Sequence, residues 1–226
     1  MRPAFRSKNE VVYDTLRQAI IQGEFKPGTR LVIDELANTL GVSQIPIREA
    51  MRQLEADGFV TIEPYVGATI TPINAHFIFE LFNLLESLET ICGRTAVQAM
   101  SDADLNTLAE MVDEMDATVD QPEQWSQQNK RMHLFICECA HTTLTLKMMQ
   151  KTLDHWDRLR LHYFKDVSGR RIRAAQQEHK QILAAFRTRE PETVERAIRE
   201  HNRSALSSYI RHLQATGQID VGDSAH

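Results

Sequence analysis

The 226-residue sequence predicts a mainly α-helical chain in two parts, and three observations carry that expectation. Glycine, proline and small polar residues divide the first 73 residues into short amphipathic segments that end in two β-branched runs. From residue 75 to Gln214 apolar residues recur at helical spacing, with no convincing strand. All nine histidines fall at or after His76, so the two parts carry different chemistry. The boundary is placed near residue 73, giving domains 1–73 and 74–226.

In the first part, Asn9 to Gly23 places Val12, Leu16, Ala19 and Ile20 on one helical stripe and stops at a glycine suited to a C′ position. A turn follows at Lys26-Pro27-Gly28. A second helix, about Asp34 to Leu40, offers Leu36, Ala37 and Leu40 to a core and ends at Gly41, after which Ser43 can cap a third. In that third helix Pro46 falls within the first turn, where its missing N–H has no intrahelical partner to lose. Ile47, Ala50, Met51 and Leu54 face inward, leaving Gln44, Arg48 and Arg52, at i, i+4 and i+8, on an outward row. After Gly58, Phe59–Ile62 and Ala68–Thr71 read as two strands joined by Glu63-Pro64-Tyr65-Val66-Gly67, a small hairpin.

The second part reads as six helices, 75–100, 102–118, 122–140, 143–165, 169–188 and 191–214. Ser101 followed by Asp104 resembles a capping box, and Pro122 and Pro191 suit first-turn positions. Stripes such as Leu105, Leu108, Met111, Val112 and Met115 need partners, so an antiparallel helical bundle is the expected architecture.

Composition bounds the function class. Apolar residues at 42% and charged residues at 25% exclude a disordered or fibrous chain. No apolar run is long enough to span a membrane, and the start MRPAFRSKNE has no signal-peptide stretch, so a soluble cytoplasmic protein without a membrane partner is expected. Cys92, Cys137 and Cys139 form no CxxC pattern and suit thiols in a reducing compartment. The net charge of −5 gives no general attraction to a polyanion, and residues 1–74 hold 8 cations and 9 anions, so nucleic-acid binding must be local.

Helix, helix, turn, helix and hairpin is the winged helix-turn-helix order, whose recognition helix enters the major groove. Arginine can donate two hydrogen bonds to guanine, glutamine can do the same to adenine, and helix N-terminal amides can hold phosphate. On that reading Arg48 and Gln44 are base readers and Arg52 and Ser43 phosphate contacts; a merely solvated surface helix fits the spacing equally. The residues Gly28-Thr29-Arg30-Leu31, Leu36-Ala37 and Gly41-Val42-Ser43-Gln44-Ile45-Pro46-Ile47-Arg48-Glu49-Ala50-Met51-Arg52-Gln53-Leu54-Glu55 resemble the GntR family of bacterial transcription regulators. The resemblance implies a winged helix-turn-helix on double-stranded DNA. Gln44 and Ile45 stand where the family pattern has Arg and Thr, so an operator sequence does not carry over. Gly67 matches the family's wing-tip glycine, where a missing Cβ lets the backbone approach DNA.

In the second part Asn129 and His133 share a helix face at i and i+4, and His179 and His201 sit on two later helices among apolar residues. Buried, hydrogen-bonded core histidines fit this pattern, and so does a divalent cation of the Zn, Ni, Mn or Fe type held by facing helices. The arrangement resembles the FCD ligand-binding domain of FadR-type GntR regulators, in which an Asp or Asn with a His at i+4, a His in a Glu-His pair and a His 22 positions later bind one metal. Asn129/His133, Glu178-His179 and His201 fill those positions here, with Asn129 replacing the usual Asp. Met132 stands where Phe is common, and Phe82 where some relatives carry a carboxylate-clamping arginine, leaving Arg94 and Arg158 as candidate anchors for an organic-acid effector. The basic run Arg170-Arg171-Arg173 reads as a solvated helix start.

The expected function is a homodimeric, ligand-responsive repressor that reads a pseudo-palindromic operator and binds a divalent metal and a small, carboxylate-class metabolite. Two alternatives stand beside it. One is a metal-dependent, hydrolase-like enzyme, against which Glu178 is expected to point away from the histidines and no other carboxylate is placed as a base. The other is a constitutive DNA-binding protein with a structural metal.

Overall fold

In a computed structural model of the chain, residues 7–64, 66–163, 168–215 and Gly217 are described. They form helices α1 (Lys8–Gln22), α2 (Ile33–Leu40), α3 (Gln44–Ala56), α4 (Ala75–Ala99), α5 (Asp102–Asp116), α6 (Pro122–Cys139), α7 (Thr143–Tyr163), α8 (Ser168–Arg187) and α9 (Pro191–Ala215). Strands β1 (Arg30–Leu31), β2 (Val60–Glu63) and β3 (Gly67–Ile70) complete the described elements. Two compact units result, Met1–Ile73 with Asp157–His162, and Asn74–Trp156 with Tyr163–His226.

The first unit begins with a capping box: the Ser7 hydroxyl accepts from the Glu10 amide, and the Glu10 carboxylate accepts from the Ser7 amide. α1 ends at Gly23, whose φ of 82° is the left-handed geometry glycine tolerates best. Its buried stripe is Val12, Leu16, Ile20 and Ile21; Ile21 takes the core place expected of Ala19, which is half-buried. α3 buries Pro46, Ile47, Ala50, Met51 and Leu54 and leaves Gln44, Arg48 and Arg52 exposed. The sheet is antiparallel in the order β1-β3-β2, so the hairpin's second strand is central. β1 pairs Arg30 with Thr69 and Leu31 with Ala68. Two residues carry no periodicity, which is why the sequence did not show this strand. β2 and β3 each lie one residue from the expected bounds, and Tyr65 of the joining loop is outside the described residues.

After Asn74 the described residues form the six helices expected from periodicity, with Asp157–His162 of α7 belonging to the first unit. The Ser101–Asp104 capping box is present, and Pro122 and Pro191 open α6 and α9. The expected end of the fourth of these helices, at residue 165, lies outside the described residues. α4 runs against α9 and α6, while α8 packs on α9, α5 and α6, so these five helices enclose one interior. α4 lies close against α9 at Gly93, where an added Cβ would collide with Ile198 and press on Val194.

The cysteines depart from expectation. Cys92 of α4 and Cys137 of α6 form a disulfide, with their Cα atoms 4.8 Å apart. The pairing spans 45 residues and exists only because the two helices pack. Cys139 is free and buried; desolvation, with Asp104 and Glu138 nearby, pushes its thiol up to about 11.

Candidate metal centre and nucleic-acid interface

The interior of the second unit brings together His133 from α6, His179 from α8 and His201 from α9. Their relative exposures are 6%, 0% and 8%, so water contributes little to solvating the rings. One nitrogen from each lies within 4.8 Å of the other two. Ring centroids are 5.4 Å apart for His133 and His179, 5.5 Å for His133 and His201, and 4.8 Å for His179 and His201.

Two carboxylates set which nitrogens face the cluster. Glu89, buried on α4, lies 3.0 Å from His133 Nδ1 and accepts from the Asn202 amide at 2.6 Å. Burial pushes its carboxyl up, but His133, His201 and Asn202 together outweigh burial and the net direction is down. Glu178 Oε2 lies 2.7 Å from His201 Nδ1, and the carboxylate also takes two hydrogen bonds from Arg171, at 2.7 and 2.6 Å, and one from Ser204 Oγ at 2.7 Å. Against the cost of burial, these donors hold Glu178 down at about 2. With each Nδ1 engaged, Nε2 is the nitrogen left for a ligand on His133 and His201.

His179 differs, because neither ring nitrogen has a hydrogen-bond partner although the residue is fully buried. Desolvation first, then repulsion from His201, His133 and Arg171, drives its pKa well below the ordinary histidine value, so the ring is neutral. Trp125 stacks on this ring at 5.5 Å and is fixed by its indole N–H to Gln176, whose amide donates to the Val112 carbonyl. A neutral imidazole with a free lone pair, buried beside two others, is the donor set that divalent transition metals take. These residues fit such a group.

Asn129 lies one turn before His133 on α6, half-buried. A small apolar cavity adjoins the centre, lined by Glu89, Cys92, His133, Ile136, Cys137 and neighbouring isoleucines.

Several site expectations change. Glu178 does not point away: it turns onto His201, and Arg171, read as solvated, is buried against it. Arg173 pairs with Asp120 at the surface, while the side chain of Arg170 lies outside the described residues. Of the two expected effector anchors, Arg94 is bound to Glu195 and Glu192 at 2.6 and 3.1 Å, and Arg158, fully buried, donates to the Thr71 carbonyl. Phe82 packs on Trp156 and Tyr209 at 5.4 and 5.7 Å, so this position offers a carboxylate no cation. Glu89, Gln176 and Asn202 went unread in the sequence; a buried polar residue within an apolar stripe was the available signal.

In the first unit the exposed face of α3 carries Gln44, Ile45, Arg48, Glu49 and Arg52. Gln44 donates to Asp34 at 2.5 Å and accepts from Arg48 at 3.2 Å, and Arg52 pairs with Glu49 at 3.2 Å. Ser43 is exposed at the N-cap, with its hydroxyl not used on the helix amides. Gly67 starts β3 with φ 107°, a conformation other residues adopt only with strain.

Comparison with known proteins gives two family matches. Residues 80–204, over half of the chain, match the family model described as the FCD domain, and residues 8–70 match that of bacterial regulatory proteins of the gntR family. The chain is 26% identical over 194 residues to the HTH-type transcriptional regulator YdhC of Bacillus subtilis (strain 168), spanning 84% of this chain and 85% of that protein. It is 23% identical over 208 residues to the HTH-type transcriptional repressor RspR of Escherichia coli (strain K12), spanning 91% and 90%. The solved structure of E. coli McbR/YncC superposes with a TM-score of 0.75 at 20% identity, over 92% of this chain and 99% of that one, which shows a common fold.

Proposed function

Because the chain belongs to the GntR family of bacterial regulatory proteins and carries an FCD domain, and is therefore a DNA-binding transcriptional regulator rather than an enzyme, we propose that it is a homodimeric repressor controlled by a metal-bound metabolite. The division of labour proposed is DNA binding by residues 1–73, and metal binding, effector binding and dimerisation by residues 74–226. His133, His179 and His201 hold a divalent cation of the Zn, Ni, Mn or Fe type, with the Asn129 amide oxygen as a fourth donor. Such a cation supplies open coordination positions for an effector's oxygen atoms.

The observation that carries this reading is His179, fully buried with both ring nitrogens unpartnered, beside two histidines whose other nitrogens are already committed to carboxylates. An unpaired buried polar group costs about 1–3 kcal/mol, which a metal bond offsets. Since Arg94 and Arg158 already have partners in Glu195 and the Thr71 carbonyl, a carboxylate effector binds through the metal rather than through an arginine. On DNA, Arg48 and Gln44 exchange their mutual hydrogen bonds for base edges, Arg52 and Ser43 contact phosphate, and Gly67 lets the hairpin backbone approach the duplex. The repressor RspR is a relative along nearly the whole chain, which supports the sign of regulation proposed.

The test is metal content by elemental analysis. Wild-type protein is expected to retain about one equivalent per protomer, and a His179→Ala/His201→Ala variant with unchanged helical circular dichroism is expected to retain none. Equal metal in the two proteins rejects the centre.

A further inference from the structure

α3 presents an apolar side chain where its fold has no use for one. Ile45 is 72% exposed, more than any other large apolar side chain described in the first unit. The helix docks through Pro46, Ile47, Ala50, Met51 and Leu54, and at about 100° per residue Ile45 and Arg52 sit roughly opposite the middle of that buried face. They are the centre of what the helix shows to solvent. Gln44 lies at the edge of that face, tied to Asp34 and Arg48. Ile45 has no such tie to release, and it stands in the first turn, where amides and flanking cations approach a duplex first.

We infer that Ile45 is a specificity-determining residue, and that its side chain packs on the C5-methyl group of a thymine in the major groove of the operator. Among base edges in that groove, the thymine methyl is the one apolar feature, and an aliphatic side chain has nothing to offer the donor and acceptor atoms of the others. Contact removes both apolar surfaces from water, whereas a polar edge opposite Ile45 would be dehydrated without a partner. The assignment rests on α3 being the helix that enters the groove. It predicts a thymine at one fixed place in each half-site, next to the base pairs read by Arg48.

The experiment uses the full-length protein. A consensus duplex is selected from a random pool, and each thymine of its half-site is replaced in turn by deoxyuridine, which lacks only the methyl group. The wild type is expected to lose about three- to fivefold in affinity at one thymine, roughly the effect of one buried methyl-sized group. Ile45→Ala is expected to bind the parent duplex more weakly by a similar factor, to ignore uracil at that place, and to melt at the wild-type temperature, since the side chain belongs to no core. A flat uracil scan, a consensus without thymine, or an Ile45→Ala protein that keeps the thymine preference overturns the assignment. Arg48→Ala separates the two levels: if it weakens consensus binding while the uracil scan is flat, Ile45 is misassigned; if neither Arg48→Ala nor Ile45→Ala changes binding, α3 is not the reading helix.

Discussion

At the scale of the residue, Glu89 and Glu178 do more than neutralise charge. By engaging Nδ1 of His133 and His201 they orient the rings and raise the basicity of the opposite nitrogen, the usual office of a carboxylate behind a metal-binding histidine. Without metal, His179 and His201 are both held below the ordinary histidine value, burial being the first cause in each case. Below about pH 6.5 an unfolded chain protonates these imidazoles more readily than the folded one does. The unfolded state then binds more protons, so the stability of chelator-treated protein is expected to fall as pH drops below about 6.5, by up to about 1.4 kcal/mol per pH unit for each histidine, and to be insensitive to these groups above pH 7. Denaturant melts from pH 8 to 5 on wild type and His179→Gln check this; an equal pH dependence in the two proteins would exclude His179 as a contributor. The histidines themselves were readable in the sequence from spacing. Their supporting carboxylates were not, because Glu89 lies on a helix 44 positions before His133, and Glu178 directly precedes His179 in the chain, a place that carries no sign of its contact with His201.

At the scale of the element, helix boundaries were legible because their punctuation is local: Ser101 with Asp104, Gly23, Gly41, Pro122 and Pro191 each act within one turn. Pairing between elements was not. β1 exists because β3 lies beside it, and the disulfide exists because α4 meets α6. The contact of α4 with α9 supplies a sharp test at Gly93. Alanine is the better helix former by up to about 1 kcal/mol, but its Cβ must displace Ile198, and overpacking a core costs about 1–3 kcal/mol. Gly93→Ala is expected to be destabilised overall in chemical denaturation. A more stable variant would mean that α9 can shift away from α4 without penalty.

At the scale of the whole molecule, the near-neutral charge of residues 1–74 limits what one protomer can do. With 8 cations against 9 anions, the proposed DNA contacts rest on the few side chains placed along α3 and the hairpin, so one copy is expected to bind weakly. The proposed dimer overcomes this by making the second contact intramolecular. A duplex with both half-sites is expected to bind at least about a hundredfold more tightly than one with a single half-site, as measured by fluorescence anisotropy at fixed salt. Equal affinity for the two duplexes would rule out paired recognition. Among the described residues no helix is long and apolar enough to cross a membrane.

The amino-acid order alone determined the helical class, the break near residue 73, the outward row of α3 and the three histidines. Each follows from periodicity or from a cap whose partners lie within about four residues, distances over which chain geometry leaves little choice. Only the tertiary structure decided which carboxylate meets which imidazole, that Arg94 pairs with Glu195 and Arg158 with the Thr71 carbonyl, that two cysteines join, and that Ile45 rather than Gln44 occupies the middle of the exposed face of α3. Those outcomes depend on contacts between residues distant in sequence or on which side of a helix the core covers, and packing alone sets both.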